Sequence, residues 1–176
     1  QNAAGKTTLV KQMNGLLKPT SGSVFIGGKD TKDLSVAKLS AMVGYVFQNP
    51  DVQLFSSTVE EEVRFGPRNL SFDPEKVDHL VERSLELTGL QDRRKVNPYD
   101  LSPTWRKMVA IASVIAMDTD IIILDEPTTG QDALMVQRIA SIIAALGAQG
   151  KTLITITHDI DFGATSFARL IAMVKG

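Results

Sequence analysis

Residues 121 to 132 read IIILDEPTTGQD, so two carboxylates, Asp125 and Glu126, directly follow four apolar residues. Ile121 to Leu124 read as a strand buried on both faces, the usual state of a parallel strand. Ligands of open α/β sheets bind just beyond the C-terminal ends of such strands. An aspartate there can hold Mg²⁺ directly or through water, and a neighbouring glutamate can polarise an attacking water. Two solvated loop acids capping the next element would give the same letters. That plainer reading weakens because Gly5-Lys6-Thr7-Thr8 lies upstream and opens a helix. Amides at a helix start point at an anion and the helix dipole adds to them. Lys6 can reach the β- and γ-phosphates of a nucleotide, and the Thr7 hydroxyl can ligate Mg²⁺. His158 follows the strand-like run TLITIT and can contact a γ-phosphate and orient Glu126. A lone histidine there is more often a surface or structural residue. Gln48 ends another strand-like run and can reach Mg²⁺ or the attacking water, or can act as a plain loop hydrogen-bonder. The other histidine, His79, lies in a charged helical stretch and reads as a surface residue.

The full phosphate-loop pattern is G-x-x-x-x-G-K-[ST]. Counting back from Gly5 puts Gln1, Asn2, Ala3 and Ala4 in its four variable positions, with the first glycine just before Gln1. The strand that precedes such a loop is not in the sequence either. A fragment is therefore expected, incomplete at both ends, in which a targeting segment can be neither found nor excluded.

These side chains need a parallel sheet to bring them together. Apolar residues at 9, 10, 13, 16 and 17 predict a helix over Thr7 to Leu17. Ser23 to Ile26 and Val43 to Phe47 read as strands, with a short helix over Asp33 to Leu39 between them. Asn49 to Pro98 carries helical patterns and no clear strand. Within it, Thr58 with Glu61 fits a capping box. Asp73-Pro74 fits an N-cap with proline in the first helical position. Val77, Leu80, Val81 and Leu85 form an apolar stripe that ends at Gly89. A helix over Trp105 to Met117 returns to strand 120–124. A helix over Asp132 to Leu146 follows, then strands Thr152 to Thr157 and Arg169 to Val174. Strands alternating with helices imply α/β architecture and a parallel sheet. The expected organisation is a core of residues 1–48 and 105–176 with a helical subdomain inserted over 49–104.

Composition narrows the class. At 176 residues the chain can bury a real core, and its apolar fraction of 43% is that of an ordinary globular protein. A net charge of −1 gives no global attraction to nucleic acid or anionic lipid. The absence of cysteine excludes disulfides and thiolate metal sites. No apolar run reaches the ~18 residues of a membrane-spanning helix.

The motifs AGKTT, Gln48, LDEPTTGQD and THD occur in the order and approximate spacing of an ABC-type ATPase. The chain therefore resembles that family over essentially its whole length. The stretches NGLLKPTSG, GYVFQNPDVQLF, TVEEEVRFGPRNL, NPYDLS and EPTTGQD are similar to the ATPase subunits of energy-coupling-factor importers of vitamins, cobalt and nickel. The resemblance implies a P-loop NTPase fold of ABC type that takes ATP and Mg²⁺. It places Gln1 to Thr8 on the phosphates, Thr7, Gln48 and Asp125 on the metal, Glu126 as general base, His158 as γ-phosphate sensor and Asp132 in a dimer-facing loop. It also implies a second ATPase subunit, a transmembrane coupling protein, a substrate-binding membrane subunit and a peripheral place on the cytoplasmic face of the membrane. It implies no nucleic-acid partner. The family's adenine-stacking aromatic would lie upstream of Gln1.

Two departures stand out. The family's LSGGQ signature aligns with Leu101-Ser102-Pro103-Thr104-Trp105, where both glycines and the glutamine are replaced. In the family this segment clamps ATP held by the partner subunit. Proline removes a backbone donor there, and threonine adds a Cβ where phosphate must approach closely. Ala3 stands where the family usually has glycine. A catalytically weak subunit of an asymmetric pair is the alternative these departures raise.

Overall fold

The computed structural model describes residues 4–174 of the chain. Gln1, Asn2 and Ala3 lie outside the described residues, and with them three expected phosphate contacts and the departure at Ala3.

Three parallel strands form the centre: β3 (Val43–Val46), β4 (Ile121–Asp125) and β5 (Thr152–Ile156), in the order β3-β4-β5. Val46 pairs with Leu124, and Asp125 pairs with Ile156, so the acidic end of β4 sits level with the ends of its neighbours. Alternation along β4 sends side chains to opposite faces. Ile122 and Leu124 enter one apolar cluster with the helices, whereas Ile123 enters the other with Val10, Ile26, Leu39 and Tyr45. Both faces are therefore covered, as the apolar run requires. Full burial of a side chain such as Ile123, which has no exposed surface, contributes about 1.5–3 kcal/mol.

The strand expected over Ser23 to Ile26 forms over its last two residues, as β1 (Phe25–Ile26), and pairs antiparallel with β2 (Lys29–Asp30) in a small hairpin outside the parallel sheet. Gly27 and Gly28, both at positive φ, make its turn. The expected helix over Thr7 to Leu17 ends early: α1 spans Lys6–Met13. Gly15, at φ 76°, turns the chain, and a Cβ there would strike Leu39. The helix α2 is the short Val36–Ser40, capped by Ser35. Residues 169–174 do not form the expected strand. They join no ladder among the described residues, and Leu170, Ile171 and Val174 remain exposed. An apolar run becomes a strand only where a neighbour supplies hydrogen bonds, and among the described residues β5 has none on its outer side.

Between β3 and β4 the described chain is helical: α3 (Val59–Asn69), α4 (Pro74–Thr88) and α5 (Pro103–Ala116), with 3₁₀ turns at Pro50–Val52, Gln91–Arg93 and Pro98–Asp100. Thr58 caps α3 by accepting from Glu61 N, and the Glu61 carboxylate reaches back to the Ser57 and Thr58 hydroxyls. Gly89 closes α4 in the left-handed conformation, at φ 69°. Helix α5 begins two residues before the expected Trp105, because Pro103 takes the first helical position with its φ preset and its missing N–H unneeded. Met108, Val109 and Ala112 of α5 are fully buried in the cluster that also holds Val46, Ile122 and Leu124. This helix thus connects the inserted helices to the sheet. Helix α6 (Ala133–Ala148), N-capped by Asp132, and α7 (Ile160–Ser166), N-capped by Asp159, flank β5 in sequence.

Candidate active site

Gly5 sits at φ 82°, a conformation that favours glycine, and α1 starts at the next residue. No side chain caps this helix, and its ladder begins with Leu9 N donating to Gly5 O. The amides of Thr7 and Thr8 are therefore not consumed by the helix itself and are available to an anion. Ala4 to Thr8, Gln48, Glu126 and Ile156 together line a cavity of about 360 Å³. Four separate segments of the sequence thus converge on one concavity at the C-terminal edge of the sheet.

Asp125 is 2% exposed, so its carboxylate needs partners. The Thr7 hydroxyl donates to Oδ1 at 3.4 Å, and the Tyr45 hydroxyl donates to Oδ2 at 2.6 Å. Burial first, and then this carboxylate, push the Tyr45 phenol far above its ordinary pKa, so it stays a donor. A hydroxyl, a carboxylate and the nearby Gln48 amide are hard oxygen donors, the set that suits Mg²⁺. Among the described residues no cluster of three His, Cys, Asp or Glu forms a self-contained metal cage.

Glu126 follows in a left-handed backbone, at φ 50°, uncommon for a residue with a side chain. Its amide donates to Ile156 O at 2.9 Å, which locks the turn against β5. Its Oε2 lies 2.7 Å from His158 Nδ1 and accepts from the Thr129 hydroxyl at 3.1 Å. His158 is 63% exposed, and its ring reaches a carboxylate that is almost wholly buried. The geometry pairs the candidate general base with a candidate proton partner. His79 is exposed on α4, as expected of a surface residue.

Three neighbours of the site were not picked out from sequence. Tyr45 read only as part of a strand; the available signal was a phenol inside an otherwise apolar buried run, which demands a partner. Thr129 is one of two threonines after Glu126, and its role depends on the turn that only the structure shows. Lys107 is 3% exposed, and its ammonium donates to the Gln48 carbonyl. Burial lowers its pKa below the usual lysine range, against the opposing pull of Asp125 and Glu126. A lysine inside the apolar face of a helix was the signal for it.

The 101–105 segment lies apart from this cavity, at the start of α5. Ser102 occupies the N-cap without a side-chain hydrogen bond. Trp105 lies under the Arg93 guanidinium, 3.8 Å from its ring centroid, with Arg138 at 5.8 Å.

Comparison with known proteins converges on one family. The family described as ABC transporter matches residues 1–129. A protein of Pyrococcus furiosus, provisionally described as an ABC transporter ATP-binding protein, is 48% identical over 160 residues, covering 91% of this chain and 62% of its own. The energy-coupling factor transporter ATP-binding protein EcfA of Methanoculleus marisnigri is 42% identical over 176 residues, covering 99% of this chain and 64% of its own. Among solved structures, CbiO1 of Clostridium perfringens, part of the ABC transporter complex cbiONQ, superposes with a TM-score of 0.83 at 36% identity. That match covers 94% of this chain and 67% of CbiO1. The ATP-binding cassette MJ0796, solved as a dimer in a post-hydrolysis state with ADP and Pi, gives 0.81 at 27% identity, covering 93% of this chain and 74% of that one. The chain spans under two thirds of the length of the Pyrococcus and Methanoculleus relatives.

Proposed function

This chain belongs to the ABC transporter family and has the α/β fold of its P-loop ATP-binding domain, and we propose that the protein carrying it is the ATP-hydrolysing motor subunit of a membrane importer for a vitamin or transition-metal ion. One observation carries the hydrolytic reading. The phosphate cradle, the Asp125–Thr7 contact and the Glu126–His158 pair converge around a single cavity. In this reading Gly5 to Thr8 hold the ATP phosphates. Thr7, Gln48 and Asp125 would hold Mg²⁺, which neutralises phosphate charge when bound. Glu126 takes a proton from the attacking water, and His158 holds Glu126 in place and senses the γ-phosphate. Residues 1–48 and 105–176 act as the ATPase core, and 49–104 as the helical subdomain.

The importer part rests on likeness to EcfA and to CbiO1 of the cbiONQ complex. A surface concavity of about 610 Å³ between Phe55, Phe65, Arg64 and Arg68 offers a membrane subunit a seat on the helical layer. Phe55 and Phe65 are both exposed, and their rings meet edge-on at 4.6 Å. No helix among the described residues is long and apolar enough to cross a membrane. In the importer reading, which rests on the likeness to EcfA and CbiO1, the protein would work from the cytoplasmic face beside a coupling protein, a substrate-binding membrane subunit and a second ATPase subunit.

A second reading has its own observation. Pro103 occupies the first position of α5, and Trp105 is stacked under Arg93, so this end offers a poor clamp to a partner's ATP. The subunit would then be one half of an asymmetric pair, able to hydrolyse its own ATP when the partner supplies LSGGQ.

The test is steady-state ATPase of the full-length assembly with each subunit's general base disabled in turn. Glu126→Gln should keep ATP binding and slow hydrolysis by ~10²-fold or more, the range of general acid–base catalysis. Normal turnover in Glu126→Gln removes Glu126 from the mechanism. Loss of all turnover on disabling only the partner's base reverses the assignment of strong and weak sites.

A further inference from the structure

The loop after β3 is fastened to α5 by three ties. Gln53 accepts from Phe47 N at 3.1 Å and donates to Ala110 O at 3.0 Å and to Ser113 Oγ at 3.1 Å. Asp51 pairs with Arg106 at 3.1 Å. The third tie is the Lys107 ammonium on the Gln48 carbonyl. Arg106, Lys107, Ala110 and Ser113 all belong to α5, whose first turn carries the 101–105 segment.

A backbone carbonyl can be held by any donor, and a neutral one would involve less desolvation. A buried ammonium is unfavourable unless opposite charge and hydrogen bonds offset its loss of water. Here Asp125 and Glu126 supply that charge. The carboxylates of the site thus offset part of the larger effect of burial, while the hydrogen bond of Lys107 acts on the loop that presents Gln48 to the same cavity.

We propose that Lys107 is a positioning residue that couples Gln48 to α5, so that a displacement of this helix reaches the cavity as a displacement of the Gln48 side chain. The inference rests on the ATPase reading for its consequence in turnover, but the tether itself is a property of the fold.

The experiment uses the full-length protein assembled with its partner ATPase subunit and compares Lys107→Met, Lys107→Arg, Gln48→Ala and the Lys107→Met/Gln48→Ala pair. Lys107→Met keeps the stem and removes the ammonium. It should lower kcat roughly tenfold, the scale of one charge-assisted hydrogen bond. KM for ATP should stay within about threefold because the phosphate cradle is untouched. Lys107→Arg, which keeps a charged donor, should recover much of the loss. If Lys107 acts through Gln48, the double variant should be no slower than Gln48→Ala alone. Amide hydrogen exchange over residues 48–53 should quicken in Lys107→Met while that of β4 is unchanged. Wild-type kcat in Lys107→Met, multiplicative losses in the double variant, or unchanged exchange in the loop each overturn the proposal. Should Lys107→Met fail to fold, Gln53→Ala cuts a second tie and must give the same exchange and kcat pattern. An inactive wild-type assembly whose loop still loosens in Lys107→Met overturns the motor reading and upholds the tether.

Discussion

Helices α1 and α5 both start at residues that offer no side-chain cap, yet their first turns are built to opposite ends. At α1 the preceding residue is Gly5, and Thr7 and Thr8 line a cavity. At α5 the first residue is Pro103, which has no amide hydrogen, and the turn is closed by Trp105 against Arg93. The same dipole points out of both ends. An anion site therefore depends on what is left open in front of the helix, and a helix start by itself is not one.

The sharpest way to break this contrast is to change each end separately. Rebuilding α5 with Pro103→Gly, Thr104→Gly and Trp105→Gln should raise ATPase of a homodimeric assembly on the order of 10²-fold, the weight of one preorganised donor toward developing charge. In a heterodimer whose partner supplies LSGGQ the gain should be much smaller. Unchanged turnover in a proven homodimer would show that this end takes no part in the reaction.

At α1, Lys6→Ala should weaken Mg·ATP binding by roughly 10- to 10²-fold, as expected for a lost hydrogen bond between charged groups. Trp105→Ala should leave the same subunit's affinity within about twofold, because independent sites do not couple. Calorimetric titration of both variants decides it, and equal losses would erase the distinction between the two ends.

A third change sharpens the electrostatics in front of α1. Tyr45→Phe removes a donor to buried Asp125, so it should cost about 1.5–3 kcal/mol of stability in denaturant titration. It should also shift the Mg²⁺ dependence of ATP binding, since the carboxylate loses one of its two anchors. An unmoved denaturation midpoint would mean the phenol only fills space.

The smallest effect concerns the scaffold that carries α5. Glu60 is held below its ordinary pKa of 4.5 by hydrogen bonds from Lys95 and Arg94, with burial opposing them. A depressed folded-state pKa contributes stability above the unfolded value and loses it as pH falls through the folded value. A Glu60→Gln variant should therefore melt lower than the wild type near neutral pH, and the gap should close as pH drops below 4.5. A gap that is constant with pH would assign the difference to shape instead of charge.

The sequence made the cavity more legible than the frame around it. Lys6, Thr7, Gln48, Asp125, Glu126 and His158 are each set by a motif with its own chemistry, and the structure gathers them near one sheet edge. Tyr45 and Lys107 escaped because their importance comes from partners 80 and 59 residues away, Asp125 and Gln48. Local pattern carries no such information. The 23–26 segment was legible as a strand, but its antiparallel pairing was not, because two glycines after an apolar run fit a strand end and a hairpin turn equally well. Residues 169–174 misled for a related reason: β-propensity describes fitness for a pleated surface, and the surface must be present. Proline at 103 read as damage to a signature, while for the helix it is a favourable first residue.

The left-handed backbone at Glu126 has an evolutionary edge. A side-chain-bearing residue at φ 50° carries strain of order 1–3 kcal/mol, which glycine or asparagine would relieve. Selection of this chain for heat resistance alone, with no demand for turnover, should therefore drift toward Gly or Asn at position 126. The hardiest descendants would be those that had lost the acid in the turn, and a glutamate kept there across a lineage would record a working enzyme better than any measure of its melting point.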